Sequence, residues 1–153
     1  MLREVFTERL KQAMRAKDTR SLSTVRLILA AVKQRDVEAR GAGNQEGIPD
    51  PEILRVLQGM VKQRRESITL YQQGNRPELA RQEEEEIAII ESFLPKQMSE
   101  EEITAAAKTA IADAGAAGVK DMGKVMALLR ERHAGIMDMA SAGAAVKRLL
   151  AGG

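Results

Sequence analysis

Apolar residues recur every three or four positions along almost the whole chain, and no stretch alternates between apolar and polar residues as a strand would. This spacing predicts an all-α protein. Each of the first two apolar stripes predicts one helix. The first stripe contains Leu2, Phe6, Leu10 and Met14, and the second contains Leu22, Val25, Ile28, Leu29 and Val32.

The third and fourth helices are predicted on either side of a Gly-Asn turn at 74–75. Residues 41–49 interrupt the apolar pattern with three glycines and read as a loop. Asp50 then precedes Pro51, an order that suits an N-cap followed by the first helical residue. A fourth helix is expected over 77–93. Because the turn is so short, the two helices should form a long antiparallel hairpin.

The segment FLPKQMSEEEI, residues 93–103, ends one helix and begins another. Pro95 has no N–H to continue a helix and disfavours helical geometry at the residue before it. Ser99 and Glu102 then stand at the spacing of a capping box. We interpret the break as a domain boundary, although a sharp corner inside one bundle would give the same local pattern. The predicted domains are an N-terminal multi-helix domain, residues 1–94, and a C-terminal three-helix bundle, residues 95–153.

Three shorter helices are expected in the C-terminal bundle. The first covers roughly 100–113, the second begins at Asp121 as a candidate N-cap, and the third covers about 140–150. Their alanine and glycine content would allow the helices to approach closely.

Charged residues interrupt the apolar stripes of the predicted hairpin. Arg64 lies on the inner face of the third helix, and Glu83 and Glu86 lie on the inner face of the fourth. Facing positions of the hairpin sum to about 150, so Arg64 should face Glu86. Since an unpaired buried charge is costly, we predict an Arg64–Glu86 ion pair, with Glu83 as the alternative partner. The competing interpretation is an acid catalyst. The four successive glutamates at 83–86 could suggest a metal site. Metal binding is disfavoured because four successive helical residues point in four directions.

Composition removes several kinds of chemistry. The chain has no cysteine, which excludes disulfides, thiolate catalysis and zinc–cysteine sites. The single histidine, His133, lacks the neighbours of a zinc motif, and no nucleotide-binding loop is present. We therefore predict no catalytic residues, no metal and no cofactor. No stretch is apolar enough for a membrane span and the start lacks a secretory pattern, so a cytoplasmic protein without membrane contact is expected.

Charge is distributed unevenly. Residues 1–74 carry 14 basic and 9 acidic residues, residues 75–104 carry 3 and 9, and residues 105–153 carry 7 and 4. The last region is therefore mildly basic, and basic surfaces attract phosphate backbones. No aromatic residues suited to base stacking accompany it. The nucleic-acid-binding candidates are Lys120, Gly123, Lys124, Arg130, Lys147 and Arg148.

Several segments resemble the YqeY family. They are ESFLPKQMSEEEI (91–103), VKDMGKVMALL (119–129), AVKRLL (145–150), STVRLILAAVKQRDVEAR (23–40) and QRRESITLYQQGNRPELARQEEEEIAIIESFLP (63–95). The resemblance covers nearly the whole chain. YqeY proteins are related to the C-terminal tail of GatB, the B subunit of the tRNA-dependent amidotransferase. The resemblance implies an all-helical fold of two parts.

The resemblance also implies a function, because the related tail helps to hold tRNA. The segment Gly123-Lys124-Val125-Met126 matches the Gly-x-Val-Met segment of that tail. Gly123 would allow close approach of either a phosphate backbone or a second helix. In relatives the turn before the last helix often carries a basic residue, whereas this chain has Ile136 and Met137 there.

Three functions follow as alternatives. The leading one is a non-catalytic tRNA-interacting accessory module, without the larger catalytic part of GatB. The second is a protein-interaction adaptor with no nucleic-acid role. It would use the acidic region 83–102 or the exposed stripe of the C-terminal bundle, with a partner from the translation machinery. The third is an enzyme of amide transfer, a carbon–nitrogen ligase with glutamine as amido-N-donor, a label that this chain would inherit from the longer relative. The sequence does not determine the oligomeric state.

Overall fold

The computed structural model describes residues 1–152, and every regular element within them is helical, which confirms the all-α prediction. A 3₁₀ turn at Val119–Asp121 precedes the sixth helix. By proximity of Cα atoms the chain divides into an N-terminal unit, residues 1–94, and a C-terminal unit from residue 95 onward. The helices are α1 Leu2–Ala16, α2 Thr19–Gly41, α3 Asp50–Gln73, α4 Pro77–Glu91, α5 Glu100–Ala114, α6 Met122–His133 and α7 Met139–Gly152.

Two helical hairpins build the N-terminal unit. The turn between α1 and α2 places Lys17 in the left-handed region at φ 55°, and Asp18 caps α2 by accepting a hydrogen bond from the Ser21 amide at 3.1 Å. The turn between α3 and α4 uses Asn75 at φ 56°, a conformation that asparagine tolerates better than most residues. The core between the helices is built from Phe6, Val25, Ile28, Val32, Ile48, Ile53, Leu57, Val61, Ile87, Ile90 and Phe93.

Two local predictions about this unit were wrong. Met14, expected in the inner stripe of α1, is 55% exposed, and the smaller Ala13 is buried in that turn instead. Asp50 is not the N-cap of α3, since Pro49 occupies that position and makes no side-chain cap. The Asp50 carboxylate instead lies 3.8 Å from the Met1 ammonium group. Asp50 remains favourable there, because a negative charge in the first turn complements the helix dipole.

The two phenylalanines of the chain join the first helix of the unit to its end. Phe6 on α1 and Phe93 pack edge to face, with ring centroids 4.9 Å apart, a geometry that the ring quadrupoles favour. The Arg9 guanidinium lies over the Phe93 ring at 4.8 Å and donates to the Ser92 hydroxyl at 3.3 Å. Residues 87 positions apart in the chain are thereby in direct contact.

A charged cluster fastens the loop before α3 to α1 and α2. Arg3 donates two hydrogen bonds to the carboxylate of Asp36, at 2.7 and 2.8 Å, and a third to the Ile48 carbonyl at 2.9 Å. Asp36 also accepts from the Ile48 amide at 2.9 Å. The hydrogen bonds from Arg3, and then that from Ile48, lower the pKa of Asp36 to about 2 against the opposing effect of burial.

The C-terminal unit is a three-helix arrangement of α5, α6 and α7. The predicted capping box is confirmed: Ser99 accepts from the Glu102 amide and Glu102 accepts from the Ser99 amide, both at 3.1 Å. The close helix contact occurs at Gly143 on α7, where an added Cβ would lie 3.7 Å from the Met122 methyl group on α6. The core is built from Ile103, Ala107, Ala110, Val125, Met126, Leu129, Met137, Ala142, Ala145 and Val146.

Candidate nucleic-acid interface

Four of the six nucleic-acid-binding candidates lie on the outer face of α6 or just before it. They are Lys120, Gly123, Lys124 and Arg130. The helix buries Val125, Met126 and Leu129 against the core of the unit. By helical periodicity the opposite face presents residues three, four and seven positions apart. We define the α6 face as the exposed residues on this side of the helix together with Lys120, which lies in the turn before it. The helical members are Gly123, Lys124, Ala127, Arg130 and Glu131.

Gly123 occupies an open position on the α6 face. A Cβ built on this residue would have no heavy atom within 4 Å. Packing against a second helix therefore does not require a glycine here; at Gly143 on α7 an added Cβ would touch α6, but only at an ordinary van der Waals distance. Arg130 follows Gly123 by seven residues, two turns farther along the same line of the helix. A ligand that reached the Gly123 backbone would thus pass the Arg130 side chain.

The cations of the α6 face are not used by the fold. Within residues 1–152, Lys120, Lys124 and Arg130 make no ion pair or hydrogen bond, whereas Arg132 at the end of the same helix pairs with Asp113 on α5 at 2.8 Å. The three charges are therefore available to an anionic ligand, at no cost in internal contacts.

Asp121 reduces the positive field at the start of the α6 face. Its pKa is lowered, chiefly because its carboxylate accepts a hydrogen bond from the Ala117 amide at 2.9 Å, with a smaller effect of the Lys124 and Lys120 charges. The side chain therefore stays ionised. Asp121 is the N-cap residue of α6, as predicted, but its side chain makes no cap hydrogen bond to the helix and instead holds the preceding loop.

Lys147 and Arg148 lie on α7, outside the α6 face. Both are exposed and neither makes an ion pair within the described chain. The turn before α7 buries Met137, which is 1% exposed. Met137 thus belongs to the core, whereas Ile136, which stands where relatives often carry the basic residue, is only partly buried. Asp138 there accepts from the Ser141 hydroxyl at 2.8 Å and begins α7.

The charged residues inside the α3–α4 hairpin form a network in the N-terminal unit. Arg64 donates from Nε to Oε2 of Glu86 at 2.9 Å, and the same Nε lies 3.8 Å from Oε2 of Glu83. Arg64 also donates to the Met60 carbonyl at 3.4 Å. Burial, and then the Glu86 charge, raise the pKa of Glu83 despite the opposing charge of Arg64.

Sequence reasoning missed one member of this network. Arg20 on α2 lies 3.9 Å from Glu86 and 3.1 Å from Glu85, so Glu86 is shared between two arginines from different helices. Hairpin geometry relates only α3 to α4, and no local signal shows where α2 packs. Glu86 is 8% exposed and is paired with both Arg64 and Arg20, an arrangement typical of a structural ion-pair network.

Clusters that could hold a metal ion and helices that could span a membrane are both absent from residues 1–152. Within residues 1–152, no three acidic or histidine side chains converge in a way that could hold a metal ion. None of the described helices combines the length and the apolar character needed to cross a bilayer.

Comparison with known proteins gives one family over nearly the whole chain. The family model described as Yqey-like protein matches residues 3–150. Two fungal relatives carry the name altered inheritance of mitochondria protein 41, mitochondrial. The protein from Vanderwaltozyma polyspora is 33% identical over 85 residues, which is 56% of this chain and 44% of the relative. The protein from Clavispora lusitaniae is 36% identical over 85 residues, again 56% of this chain and 46% of the relative.

A third relative is an uncharacterised protein of Schizosaccharomyces pombe. It is 26% identical over 98 residues, 64% of this chain and 76% of the relative. This chain therefore spans less than half the length of the two named fungal relatives, and about three quarters of the third.

Proposed function

Because the chain belongs to the YqeY family, we propose that it is a non-catalytic accessory module that holds tRNA on the α6 face. Lys120, Lys124 and Arg130 would contact phosphate groups, and Gly123 would let the ribose-phosphate backbone come close to the helix. The proposal rests on one observation above all: these cations are exposed and unpaired around a glycine with open space beside it. Such a surface fits a polyanion.

The two buried polar side chains take part in the fold and supply no catalytic group. Thr24 and Glu86 are the buried polar or charged residues of the described chain. Thr24 donates to the Arg20 carbonyl at 2.8 Å, and Glu86 is held by Arg64. Both groups are therefore committed to the fold, which leaves neither poised as an acid, base or nucleophile. Amide transfer with glutamine as donor would then belong to a longer relative and not to this chain alone.

A gel-shift titration with total tRNA at two salt concentrations tests the proposal. The double variant Lys120→Glu/Lys124→Glu should weaken binding at low salt by at least about tenfold and make the dependence of log K on log salt shallower by about 2. The matched control is Lys96→Glu/Lys108→Glu, which reverses two exposed lysines of the same unit outside the α6 face. Equal losses in both variants would leave only non-specific attraction and overturn the assignment.

A protein-interaction adaptor is the second candidate. Its support is a set of exposed carboxylates at the start of α5, where Glu100 and Glu101 make no ion pair within residues 1–152. Absence of any tRNA shift at low salt would favour this role. Release of ammonia from glutamine by the purified chain would instead require an enzyme, contrary to the proposal.

The cellular compartment of this chain can differ from that of its fungal relatives. We propose the cytoplasm for this chain. The two fungal relatives carry the word mitochondrial in their names. Since tRNA is used in both compartments, a tRNA-holding role is compatible with either location. Fractionation of cells that express the tagged protein would decide the point.

A further inference from the structure

Helix α2 has a second basic surface that the sequence candidates did not include. The helix buries Thr24, Val25, Ile28 and Val32 against its neighbours. Its opposite side is open to solvent along the full length of the helix. We define the α2 face as the exposed positions on this side, which are Arg26, Leu27, Ala30, Lys33, Gln34, Val37, Glu38 and Arg40.

Three cations of the α2 face stand at equal intervals. Arg26, Lys33 and Arg40 are seven residues apart, so they fall on nearly one line of the helix. At about 1.5 Å per residue they cover about 21 Å. Glu38 is the one acidic residue of the face, and it lies on the edge of the face away from the row of cations. A straight row of like charges suits a linear polyanion better than a small anion.

The fold leaves these cations without partners while it uses others nearby. Within the described chain, Arg26, Lys33 and Arg40 make no ion pair or hydrogen bond, although the charge of Arg40 helps to lower the pKa of Asp36, four residues before it on the same helix. By contrast, Arg3, Arg9, Arg20, Arg64 and Arg65 of the same unit are engaged with carboxylates or with an aromatic ring and a hydroxyl group.

Apolar side chains lie beside the row of cations on the α2 face. Leu27 is 47% exposed and Val37 is 55% exposed, and Ala30 lies between them. A surface helix usually keeps its outer face polar. Here the apolar residues run beside the row of cations, as expected for a surface that contacts both the charged and the less polar parts of one ligand.

Other occupants fit the α2 face less well. Two copies of the face would bring two rows of cations together, which opposes self-association. Helices that lie in a membrane surface use large apolar and aromatic residues, whereas both phenylalanines of this chain are buried and the face offers only Leu27, Ala30 and Val37. The row of cations suits a nucleic-acid backbone, because contacts of basic side chains with phosphate groups supply most of the affinity of such complexes.

We infer that the α2 face is a second tRNA-binding surface, on which Arg26, Lys33 and Arg40 contact successive stretches of the phosphate backbone. The inference rests on the proposed function, because it takes the same tRNA as ligand. It adds a contact surface in the N-terminal unit, which the resemblance to the amidotransferase tail does not supply.

Filter binding with total tRNA over a salt series tests the inference. In the triple variant Arg26→Gln/Lys33→Gln/Arg40→Gln, the slope of log K against log salt should become shallower by about 2 to 3, since each phosphate contact contributes about 0.7 to 0.9. The control Lys11→Gln/Arg15→Gln/Lys62→Gln removes the same charge from exposed residues of the same unit outside the face. Its slope should match that of the unmodified protein.

A second measurement avoids substitutions. In the unmodified chain, tRNA should protect Lys33 from an amine-reactive reagent and leave Lys62 reactive. Equal reactivity of Lys33 with and without bound tRNA would overturn the inference, even if the triple variant failed to fold. Phosphatidylserine vesicles provide a competing ligand: binding to vesicles that the triple substitution abolishes, with tRNA binding unchanged, would assign the face to membranes and overturn the inference.

The experiments can contradict the proposal for the α6 face and the inference for the α2 face independently of each other. Weaker tRNA binding in the α6 variant but not in the α2 triple leaves the proposed function standing and overturns this inference. The reverse pattern supports the α2 face and overturns the assignment to α6. Full tRNA binding by both variants overturns both.

Discussion

Arg64 on α3 and Glu86 on α4 are joined across the hairpin by a 2.9 Å hydrogen bond, with side chains only 13% and 10% exposed. Glu83 shares the same guanidinium at 3.8 Å. The two glutamates are thus unequal. Glu86 neutralises a nearly buried cation, whereas Glu83 places a further negative charge beside Glu86.

This inequality predicts opposite effects of two similar substitutions. Glu86→Gln removes the counter-ion at 2.9 Å and leaves Arg64 with Glu83 at 3.8 Å, so it should lower the free energy of unfolding by about 1.5 to 3 kcal/mol. Glu83→Gln removes a carboxylate whose pKa is raised by burial and by Glu86, so stability at neutral pH should be unchanged or higher. Urea unfolding followed by circular dichroism measures both. A loss in Glu83→Gln as large as that in Glu86→Gln would contradict the unequal roles.

Acid should weaken the Arg3–Asp36 cluster. Since the pKa of Asp36 is lowered from 3.8 to about 2 in the folded protein, its contribution is present above about pH 4 and is lost as the pH falls from there to about 2. The contribution is about 1 to 2 kcal/mol. The difference in unfolding free energy between the unmodified chain and Asp36→Asn should therefore shrink over this range. Asp113→Asn, at the exposed pair with Arg132, is the control.

The capping box should stabilise the C-terminal unit. Ser99→Ala removes the acceptor of the Glu102 amide and should cost about 1 kcal/mol, whereas Ser99→Asp keeps an acceptor and should restore most of the loss. Thermal unfolding of the full chain would show the difference. Equal stability of the three proteins would mean that water replaces the cap without loss.

Gly123 and Gly143 allow a test that separates folding from binding. Alanine at either position should stabilise its helix by about 0.5 to 1 kcal/mol, because glycine is a poor helix former and neither Cβ meets an atom closer than 3.7 Å. If tRNA backbone approaches Gly123, only Gly123→Ala should also weaken tRNA binding. Unchanged tRNA binding in Gly123→Ala would remove the reason for glycine on the α6 face.

Local features of the sequence determined the elements that were predicted well. The capping box of α5 involves Ser99 and Glu102, three residues apart, and the helical stripes depend only on spacing along the chain. The hairpin between α3 and α4 has a short turn, so simple register arithmetic places Arg64 opposite Glu86. In the structure these two side chains are in contact.

Features that depend on packing between helices far apart in the sequence could not be predicted from local sequence patterns. Arg20 reaches Glu86 only because α2 packs against α4. Met14 and Ala13 are both compatible with the inner stripe of α1, and only the packed structure shows that Ala13 is buried and Met14 exposed. The α2 face could have been found from the seven-residue spacing of its cations, but its lack of ion-pair partners required coordinates.

The contact between Phe6 and Phe93 has a consequence for synthesis on the ribosome. Its two rings are separated by almost the entire N-terminal unit, so the core cannot close until residue 93 has left the exit tunnel. During that interval the nascent first helix exposes an aromatic side chain that later becomes fully buried. Growing chains paused before the end of α4 are therefore expected to be the form of this protein most dependent on chaperones.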